Sequence, residues 1–359
     1  MLAPTLVRSA TVEALDLPLF EPFIISTGRF PAANAVIVRV ELESGAVGLG
    51  EGSPSLSSGG ETQATILAAA REMVTLLPGR DAGNWRGLAE LLLANFEAHS
   101  CARTAVEAAL LDALTRHYQI PLYRWFGGAT TSVETDLTIP IVPVERAREL
   151  AGEIAARGIR TIKIKVGGDN MDEDEARVVA IHKGAPRVAL LLDGNQGYDA
   201  PGALRLLARL EKRGIIPVLF EQPVHRADWD GMAEVTARSS VPIAADECVH
   251  APADALRVAR ERAAHVINIK LMKSTILGAL DIVSICRAAR LGLMIGAMME
   301  SRLSTATAAH FAAGMGGFGF VDLDTPMLIN GDPFVGGYVQ EGGRYDVSEV
   351  RAGHGVDWR

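Results

Sequence analysis

The sequence predicts an α/β protein in which a smaller α+β domain precedes a closed barrel of eight parallel strands and alternating helices. Three observations support this fold class. From residue 135 onward, short apolar runs alternate with amphipathic helical segments, as in a (β/α) barrel. Before that point, the apolar pattern is that of antiparallel strands followed by helices. The length of 359 residues exceeds the usual size of a single core and leaves room for both units.

Residues 1–128 form the predicted α+β domain. Its expected elements are strands at 10–19 and 35–43 and helices at 62–77 and 102–118. The strands alternate apolar and polar side chains, and the chain turns after them at Glu43-Ser44-Gly45. The helices carry apolar residues at helical spacing. A break at Phe126-Gly127-Gly128 ends this domain.

Residues 129–325 form the predicted barrel. Its eight strands are expected within 136–141, 161–166, 188–195, 217–223, 242–247, 266–270, 293–300 and 318–324. The helices between them are expected at 144–157, 173–184, 200–213, 229–239, 253–262, 275–291 and 304–314. No regular helix is expected after the eighth strand. Residues 326–359 are rich in glycine and strand-like, and we expect this segment to return to the first domain.

The composition argues against several classes of partner. A net charge of −8 argues against nucleic acid and against an anionic membrane, since both require basic patches. No apolar run approaches the ~18 residues of a transmembrane helix. The residues after Met1 lack the regions of an export signal, and three scattered cysteines fit a reduced, cytoplasmic setting. The sequence leaves open whether the chain forms a homo-oligomer.

Charged residues end seven of the eight predicted barrel strands, where (β/α) barrels place their active sites. The third, fourth and fifth strands supply Asp193, Glu221 and Asp246. Three converging carboxylates repel one another unless a cation lies among them, and a ligand set without histidine or cysteine selects a hard ion. We therefore predict one Mg²⁺ per subunit. Salt bridges from these carboxylates to loop arginines are the alternative.

Two lysines are expected to face each other across the barrel. Lys165 ends the second strand and Lys270 ends the sixth, so four of the eight strands separate them. A planar intermediate between them can be protonated on either face, as a two-base racemase or epimerase requires. We expect burial, a nearby divalent cation and their mutual repulsion to lower the pKa of these lysines and suit one of them to accept a carbon-bound proton.

Five motifs in this order resemble those of the enolase superfamily, and in particular of its muconate-lactonising subgroup. They are Lys163-Ile164-Lys165, Asp193-Gly194-Asn195, Glu221-Gln222-Pro223, Ala245-Asp246-Glu247 and Asn268-Ile269-Lys270. The resemblance covers nearly the whole chain and implies a modified TIM barrel beneath a capping domain built from the N-terminal third and the C-terminal tail. It implies that Lys165 and Lys270 are the acid–base pair and that Lys163 steadies the substrate carboxylate. It also implies that Asn195 and Glu247 lie next to the metal ligands and position them without binding the metal, with Glu247 oriented towards Lys270.

The end of the eighth strand distinguishes among the reactions of this subgroup. Asp322-Leu323-Asp324 resembles the Asp-x-Asp motif of dipeptide epimerases, and residues two apart on a strand share a face. Two carboxylates opposite the metal would bind the free ammonium of a dipeptide and repel a succinyl group. By resemblance, Thr138 and the backbone of Met298 also line the substrate. We therefore expect a Mg²⁺-dependent dipeptide epimerase that transfers the α-proton through an enediolate.

Three alternatives stay open. An N-acylamino acid (N-succinylamino acid) racemase or an o-succinylbenzoate synthase of the same subgroup would share the metal and the lysines, but its substrate offers no ammonium to Asp322 and Asp324. A barrel that binds a ligand without turnover belongs to a different class, and the two retained lysines argue against it. The third alternative is that Asp324 only caps the turn that follows it and Asp322 bonds a neighbour.

The preferred dipeptide is not defined by the sequence. L-Ala-D/L-Glu epimerases place an arginine in the loop after Pro22-Phe23, where this chain has Gly28 with Arg29 beside it. Glu51 and the acidic eighth strand favour a cationic dipeptide. The residues that favour a hydrophobic pocket instead are Ile24, Ile25 and Leu56.

Overall fold

The structure is a computed structural model that describes residues 4–25, 28–54, 60–168 and 170–359. Within these residues the strands are β1 (Val7–Ile25), β2 (Gly28–Leu42), β3 (Val47–Gly52), β4 (Ser132–Glu134), β5 (Leu137–Ile139), β6 (Thr161–Lys165), β7 (Ala189–Asp193), β8 (Leu219–Glu221), β9 (Ile243–Ala245), β10 (Val266–Lys270), β11 (Gly292–Gly296), β12 (Phe318–Asp322), β13 (Phe334–Gly336), β14 (Val339–Glu341), β15 (Arg344–Asp346) and β16 (Val356–Trp358). The helices are α1 (Gln63–Thr75), α2 (Trp85–Asn95), α3 (Ser100–His117), α4 (Leu122–Trp125), α5 (Val144–Ala156), α6 (Met171–Gly184), α7 (Ala200–Glu211), α8 (Trp229–Arg238), α9 (Pro252–Glu261), α10 (Leu271–Ala289) and α11 (Arg302–Met315).

An antiparallel sheet in the order β1-β2-β3 packs against α1 and α3 in the N-terminal region. Gly48 and Gly50 of β3 permit this packing, because a Cβ atom on Gly50 would lie 2.0 Å from the carbonyl oxygen of Ala105 in α3. The sequence predicts the turn at Glu43-Ser44-Gly45 that precedes β3, but β3 itself is not among the predicted strands. Helix α2 is also absent from the predicted elements, although its buried residues Trp85, Leu88 and Leu92 follow helical spacing.

The barrel is one eight-stranded sheet, β5 to β12, in which each strand pairs with the next along the chain. The backbone N–H of Asp136, just before β5, donates to the carbonyl of Val321 in β12 at 3.0 Å and joins the two ends of the sheet. The predicted barrel is therefore confirmed. Its interior is filled by a cluster of apolar side chains, namely Leu191, Leu219, Ala244, Val266 and Met294.

Helix α10 differs most from its predicted bounds, because it begins at Leu271 and contains a kink at Thr275, whose φ is 60°. Glu107 of α3 stabilises the second half of the helix, since one of its carboxylate oxygens accepts the N–H groups of Ile276 at 2.9 Å and Leu277 at 3.0 Å. A carboxylate at this helix start also faces the positive end of the helix dipole. The N-terminal region thereby caps a barrel helix.

The C-terminal segment reaches α3 in the N-terminal region. The backbone N–H of His354 donates to Asp112 Oδ1 at 2.9 Å, and Arg116 Nη2 donates to the carbonyl of Val356 at 2.6 Å. These contacts support our proposal that residues 1–128 and 326–359 form one domain around the barrel of residues 129–325. One strand of the segment, β15, pairs instead with β4, which lies at the start of the barrel range.

None of the described helices combines the length and the hydropathy needed to span a membrane. The three cysteines are buried and free.

Candidate active site

The predicted charged residues lie at one mouth of the barrel, at the carboxyl ends of its strands. They are Lys163 and Lys165 of β6, Asp193 of β7, Glu221 of β8, Asp246 after β9, Lys270 of β10 and Asp322 of β12. None of them is more than 8% exposed. The strand register places Lys165 beside Asp193, an opposite charge, and Asp193 beside Glu221, a like charge.

Lysines of the barrel contact all three predicted metal ligands, which we call the metal trio (Asp193, Glu221 and Asp246). Lys163 Nζ lies 2.9 Å from Asp193 Oδ2 and 2.7 Å from Glu221 Oε2. Asp246 is contacted by Lys270 Nζ at 2.9 Å and by Lys273 Nζ at 2.5 Å. The described ion pairs of the trio are therefore with barrel lysines and not with loop arginines. Lys273 is not among the predicted site residues.

The members of the metal trio differ in how far their charges are compensated. Burial opposes ionisation, but Lys163 and Lys165 hold the pKa of Asp193 below its usual value. Burial is likewise outweighed at Asp246, where the two contacting lysines lower the pKa. At Glu221, burial and the neighbouring Asp193 raise the pKa to about 8. A cation beside Glu221 would therefore relieve the largest uncompensated charge of the trio.

The metal trio fits Mg²⁺ in its donor chemistry. All of its ligand atoms are carboxylate oxygens, and Glu221 Oε2 and Asp246 Oδ2 contact only the ammonium groups of Lys163 and Lys270 among the described ion pairs. Amides hold two members from behind: Asn268 Nδ2 donates to Glu221 Oε1 at 2.7 Å, and Gln222 Oε1 accepts from the backbone N–H of Asp246 at 2.9 Å. Such groups orient metal ligands. The sequence shows Asn268 two residues before Lys270, hence on the same strand face, but it is not a predicted site residue.

Lys165 and Lys270 extend from strands four apart in the barrel order, as predicted. Their side chains line the same cavity, and Lys165 Nζ lies 2.6 Å from Asp193 Oδ2. Without a cation, burial lowers the pKa of Lys270, but the coulombic attraction of Asp246 is stronger and raises the pKa above its usual value. The lowering of the lysine pKa by a divalent cation stays a prediction.

Asn195 and Glu247 lie behind the metal trio and bond to each other. Asn195 Nδ2 donates to Glu247 Oε1 at 3.2 Å, and the backbone N–H of Asn195 donates to Asp193 Oδ1 at 2.9 Å. Burial and the adjacent Asp246 raise the pKa of Glu247 to about 7. The hydrogen bond of Glu247 is thus to Asn195, whereas Lys270, its expected partner, contacts Asp246.

A cavity of about 60 Å³ opens between the barrel mouth and the N-terminal sheet. Its lining includes the predicted residues Thr138, Lys165, Asn195, Lys270, Met298, Asp322 and Asp324, together with Phe23, Phe30, Ala297, Met299 and Thr325. The backbone N–H of Met298 donates to Glu300 Oε1 at 2.7 Å, so this donor is already engaged within the protein. Burial raises the pKa of Glu300 to about 7.

A second group of carboxylates, which we call the seam trio, lies where β5 meets β12. It consists of Asp136, Asp322 and Asp324, and one oxygen from each lies within 4.8 Å of the other two. Among the described residues this is the group of carboxylates gathered most tightly, whereas lysines stand among the oxygens of the metal trio. Asp136 was not predicted as a site residue, because its neighbours Asp322 and Asp324 are distant in sequence.

Donors reach two members of the seam trio. Lys163 Nζ lies 2.6 Å from Asp322 Oδ2, and the backbone N–H of Thr138 donates to Asp324 Oδ2 at 2.6 Å. Burial and Asp322 raise the pKa of Asp324 to about 6, and burial with both other aspartates raises that of Asp136 well above its usual value. Asp324 lines the cavity, and its side chain makes no capping hydrogen bond to the turn that follows it. Asp324 is thus more than a turn cap.

Glu51 does not contribute to the cavity lining. It is buried and accepts from the backbone N–H of Ser301 at 3.0 Å and from Ser53 Oγ at 2.8 Å, so it joins β3 to the loop after β11. The suggestion that Glu51 favours a cationic dipeptide is therefore wrong. Leu56 and the side chains of Ile25, Gly28 and Arg29 lie outside the described residues.

Opposed lysines above a carboxylate trio, in a barrel capped by an antiparallel sheet, define an acid–base enzyme of the enolase superfamily. Comparison with family models identifies the branch. Residues 8–127 match the mandelate racemase/muconate lactonizing enzyme N-terminal domain, and residues 145–359 match the enolase C-terminal domain-like family. The chain belongs to the mandelate racemase/muconate lactonizing enzyme family.

Similar proteins extend over almost the entire chain. It is 47% identical over 354 residues to the aromatic dipeptide epimerase of Herpetosiphon aurantiacus, with 99% of each chain covered. It is 35% identical over 331 residues to the L-Ala-D/L-Glu epimerase of Bacillus subtilis, covering 91% of this chain and 90% of the relative. The dipeptide epimerase of Enterococcus faecalis, solved with Mg and the dipeptide L-Leu-L-Tyr, superposes with a TM-score of 0.94 at 33% identity, covering 98% of this chain and 99% of the other.

Proposed function

We propose that this protein is a Mg²⁺-dependent dipeptide epimerase that inverts the α-carbon next to the C-terminal carboxylate. The observation that carries the proposal is the placement of Lys165 and Lys270 on opposite sides of one cavity, each in contact with a member of the metal trio. The epimerase activities of the similar proteins support it.

The two lysines perform the proton transfer. One removes the α-proton from its face of the substrate, and the other returns a proton to the opposite face, so the configuration inverts. Asp193, Glu221 and Asp246 would hold Mg²⁺, which would supply positive charge to offset the substrate carboxylate as the α-proton leaves. We assign Lys163 to the same carboxylate, because its buried ammonium stands beside two members of the trio.

The seam trio favours a dipeptide over an N-succinylamino acid. Asp322, at the end of β12, and Asp324, just after it, line the cavity. They suit the free ammonium of a dipeptide, and the negative charge of a succinyl group would be repelled there. A racemase of N-succinylamino acids is the alternative within the family, and it has no use for these two carboxylates.

We propose an aromatic or large apolar side chain on the epimerised residue. The cavity wall carries Phe23 and Phe30 from the N-terminal strands and Met298 and Met299 from the loop after β11. Aromatic and thioether side chains suit an aromatic substrate group. The aromatic dipeptide epimerase of Herpetosiphon aurantiacus, at 47% identity, supports this preference.

We also propose a reduced, cytoplasmic setting in which small dipeptides are the partners and nucleic acid and membranes are not. The buried free cysteines and the net charge of −8 support this assignment.

The test follows α-proton exchange in D₂O with Mg²⁺, using L-Ala-L-Phe, L-Ala-L-Glu, L-Ala-L-Lys and N-succinyl-L-Phe. Mass spectrometry measures deuterium uptake, and chiral chromatography measures epimer formation. We expect the fastest exchange and epimerisation with L-Ala-L-Phe. The double variant Lys165→Ala/Lys270→Ala gives the background rate. Faster turnover of N-succinyl-L-Phe would contradict the dipeptide assignment, and faster turnover of L-Ala-L-Glu would contradict the aromatic preference.

A further inference from the structure

Asp136 is the member of the seam trio that has no partner. It is 2% exposed, and neither of its carboxylate oxygens accepts a hydrogen bond from any described residue. Asp322 and Asp324, by contrast, receive Lys163 and the Thr138 N–H. Buried polar groups are nearly always hydrogen-bonded, and a buried carboxylate without a donor is costly. Asp136 therefore points to a donor that a ligand brings.

The spacing of the seam trio fits a primary ammonium. Because its three oxygens lie within 4.8 Å of one another, some point lies at most about 2.8 Å from all three. Charge-assisted N–H···O bonds have donor–acceptor distances of ~2.7–2.9 Å. A primary ammonium carries three N–H donors, one for each of the three carboxylates.

Two strands on opposite sides of the barrel closure supply these acceptors. Asp322 and Asp324 come from the end of β12, whereas Asp136 precedes β5 and is held by its own backbone N–H to Val321. That hydrogen bond fixes Asp136 against β12 before any ligand arrives. The third acceptor is therefore preorganised on a neighbouring strand and does not belong to the Asp-x-Asp motif.

We infer that Asp136 is a substrate-binding residue that, with Asp322 and Asp324, contacts all three N–H groups of a primary α-ammonium. The inference rests on the proposed function and sharpens its substrate class. Dipeptides with a primary amine at the N-terminus are substrates. Dipeptides whose N-terminal nitrogen is methylated keep the positive charge but lose one donor, and they are poor substrates.

The test crosses two substrates with two forms of the enzyme, each with Mg²⁺ bound. The substrates are L-Ala-L-Phe and its N-methyl analogue, which differ by one N–H donor and not in charge. For the wild type we expect kcat/KM to fall roughly 10- to 100-fold on N-methylation, because one charge-assisted hydrogen bond is lost. For Asp136→Ala we expect a similar fall in kcat/KM with L-Ala-L-Phe. N-methylation should have little further effect on this variant, because the carboxylate that accepts the third N–H is already absent. This non-additivity identifies a direct contact.

Asp136→Asn, which keeps the shape and removes the charge, repeats the measurement if Asp136→Ala does not fold. Asp230→Ala, at an exposed aspartate of α8, is the matched control and should behave as the wild type. Equal turnover of the two substrates by the wild type would overturn the inference. Independent, additive effects of substitution and methylation would also overturn it, since they indicate a structural role for Asp136. Absence of epimerisation with every dipeptide would instead reject the proposed function on which the inference rests.

Discussion

The metal trio and the seam trio both consist of three buried carboxylates. Around the metal trio the chain supplies four lysines, Lys163, Lys165, Lys270 and Lys273, and two supporting amides. At the seam trio, Lys163 is the described lysine in contact. The pKa values follow this difference: those of Asp193 and Asp246 are lowered, whereas those of Asp136 and Asp324 are raised.

This difference separates a site for catalysis from a site for recognition. In the metal trio the chain compensates Asp193 and Asp246, which stay ionised and hold the lysines in place, whereas the pKa of Glu221 is raised to about 8. The seam trio carries negative charge that the protein alone leaves poorly compensated. A substrate ammonium gains most at a carboxylate that lacks donors, and within the described residues neither oxygen of Asp136 accepts a hydrogen bond. The predictions below test this division, from the largest expected effect to the smallest.

Asp246→Asn should have the largest effect. It removes one metal ligand and the carboxylate that contacts both Lys270 and Lys273. We expect the Mg²⁺ affinity to fall by more than the ~10–100-fold that accompanies loss of a supporting group, and the activity to fall with it. Calorimetric titration with Mg²⁺ measures the affinity. Asp230→Asn is the control, and unchanged Mg²⁺ binding in Asp246→Asn would remove this residue from the metal trio.

Lys165→Ala and Lys270→Ala should each reduce epimerisation about 10²–10⁴-fold, the usual contribution of general acid–base catalysis. The two variants should differ in which epimer still exchanges its α-proton, because each retains the base on one face. Deuterium uptake from the separate L,L and L,D dipeptides measures this. Lys212→Ala, at an exposed lysine, is the control. Equal loss of exchange from both epimers in both variants would contradict a two-face mechanism.

Asp324→Asn should have a smaller effect, roughly a 10- to 100-fold fall in kcat/KM for L-Ala-L-Phe, because one charge-assisted contact to the ammonium is lost. The same variant should scarcely change the low activity towards N-acetyl-L-Ala-L-Phe, which has no ammonium. Steady-state kinetics on the two substrates compares them. A parallel fall with both substrates would show that Asp324 acts on the fold or the metal trio and not on the ammonium.

The smallest effect near neutral pH is the pH dependence contributed by Asp324. Its pKa is raised to about 6, so the carboxyl group is protonated below that pH and loses the charge that binds the ammonium. We expect kcat/KM for L-Ala-L-Phe to fall about tenfold per pH unit as the pH drops below this value, since kcat/KM reports the free enzyme. A pH profile of Asp324→Asn should lack this step. Its persistence in the variant would assign the step to another group.

Much of the barrel follows from local sequence, because each strand–helix unit carries its own apolar pattern. The eight strands and the charges at their ends, from Lys165 to Asp322, are where the pattern predicts them. Strand β3 was not predicted because its glycines are needed for the close packing of α3 against the strand. This is a tertiary contact, and local strand propensity gives no sign of it.

The parts of the site that could not be predicted depend on contacts between distant segments. Asp136 acquires its role only when β5 closes against β12, and Glu51 is taken up by Ser301 from a loop of the barrel. The raised pKa of Lys270 also depends on a contact between segments, because Asp246, 2.9 Å away, raises the pKa by more than burial lowers it. Strand pattern predicts which residues reach the barrel mouth, but not which neighbour each one contacts.

The contacts of residues 354–356 with α3 have a consequence for the order of folding. Domains generally begin to fold from the N-terminus during synthesis. Helix α3 leaves the ribosome early, yet the fully buried Asp112 receives the backbone N–H of His354, and Arg116 donates to Val356. These partners are synthesised only after every strand of the barrel. Helix α3, which caps α10 through Glu107, therefore gains its last hydrogen bonds only after all the barrel strands have been synthesised. The strands that carry Lys165 and Lys270 precede the C-terminal residues that complete the capping domain.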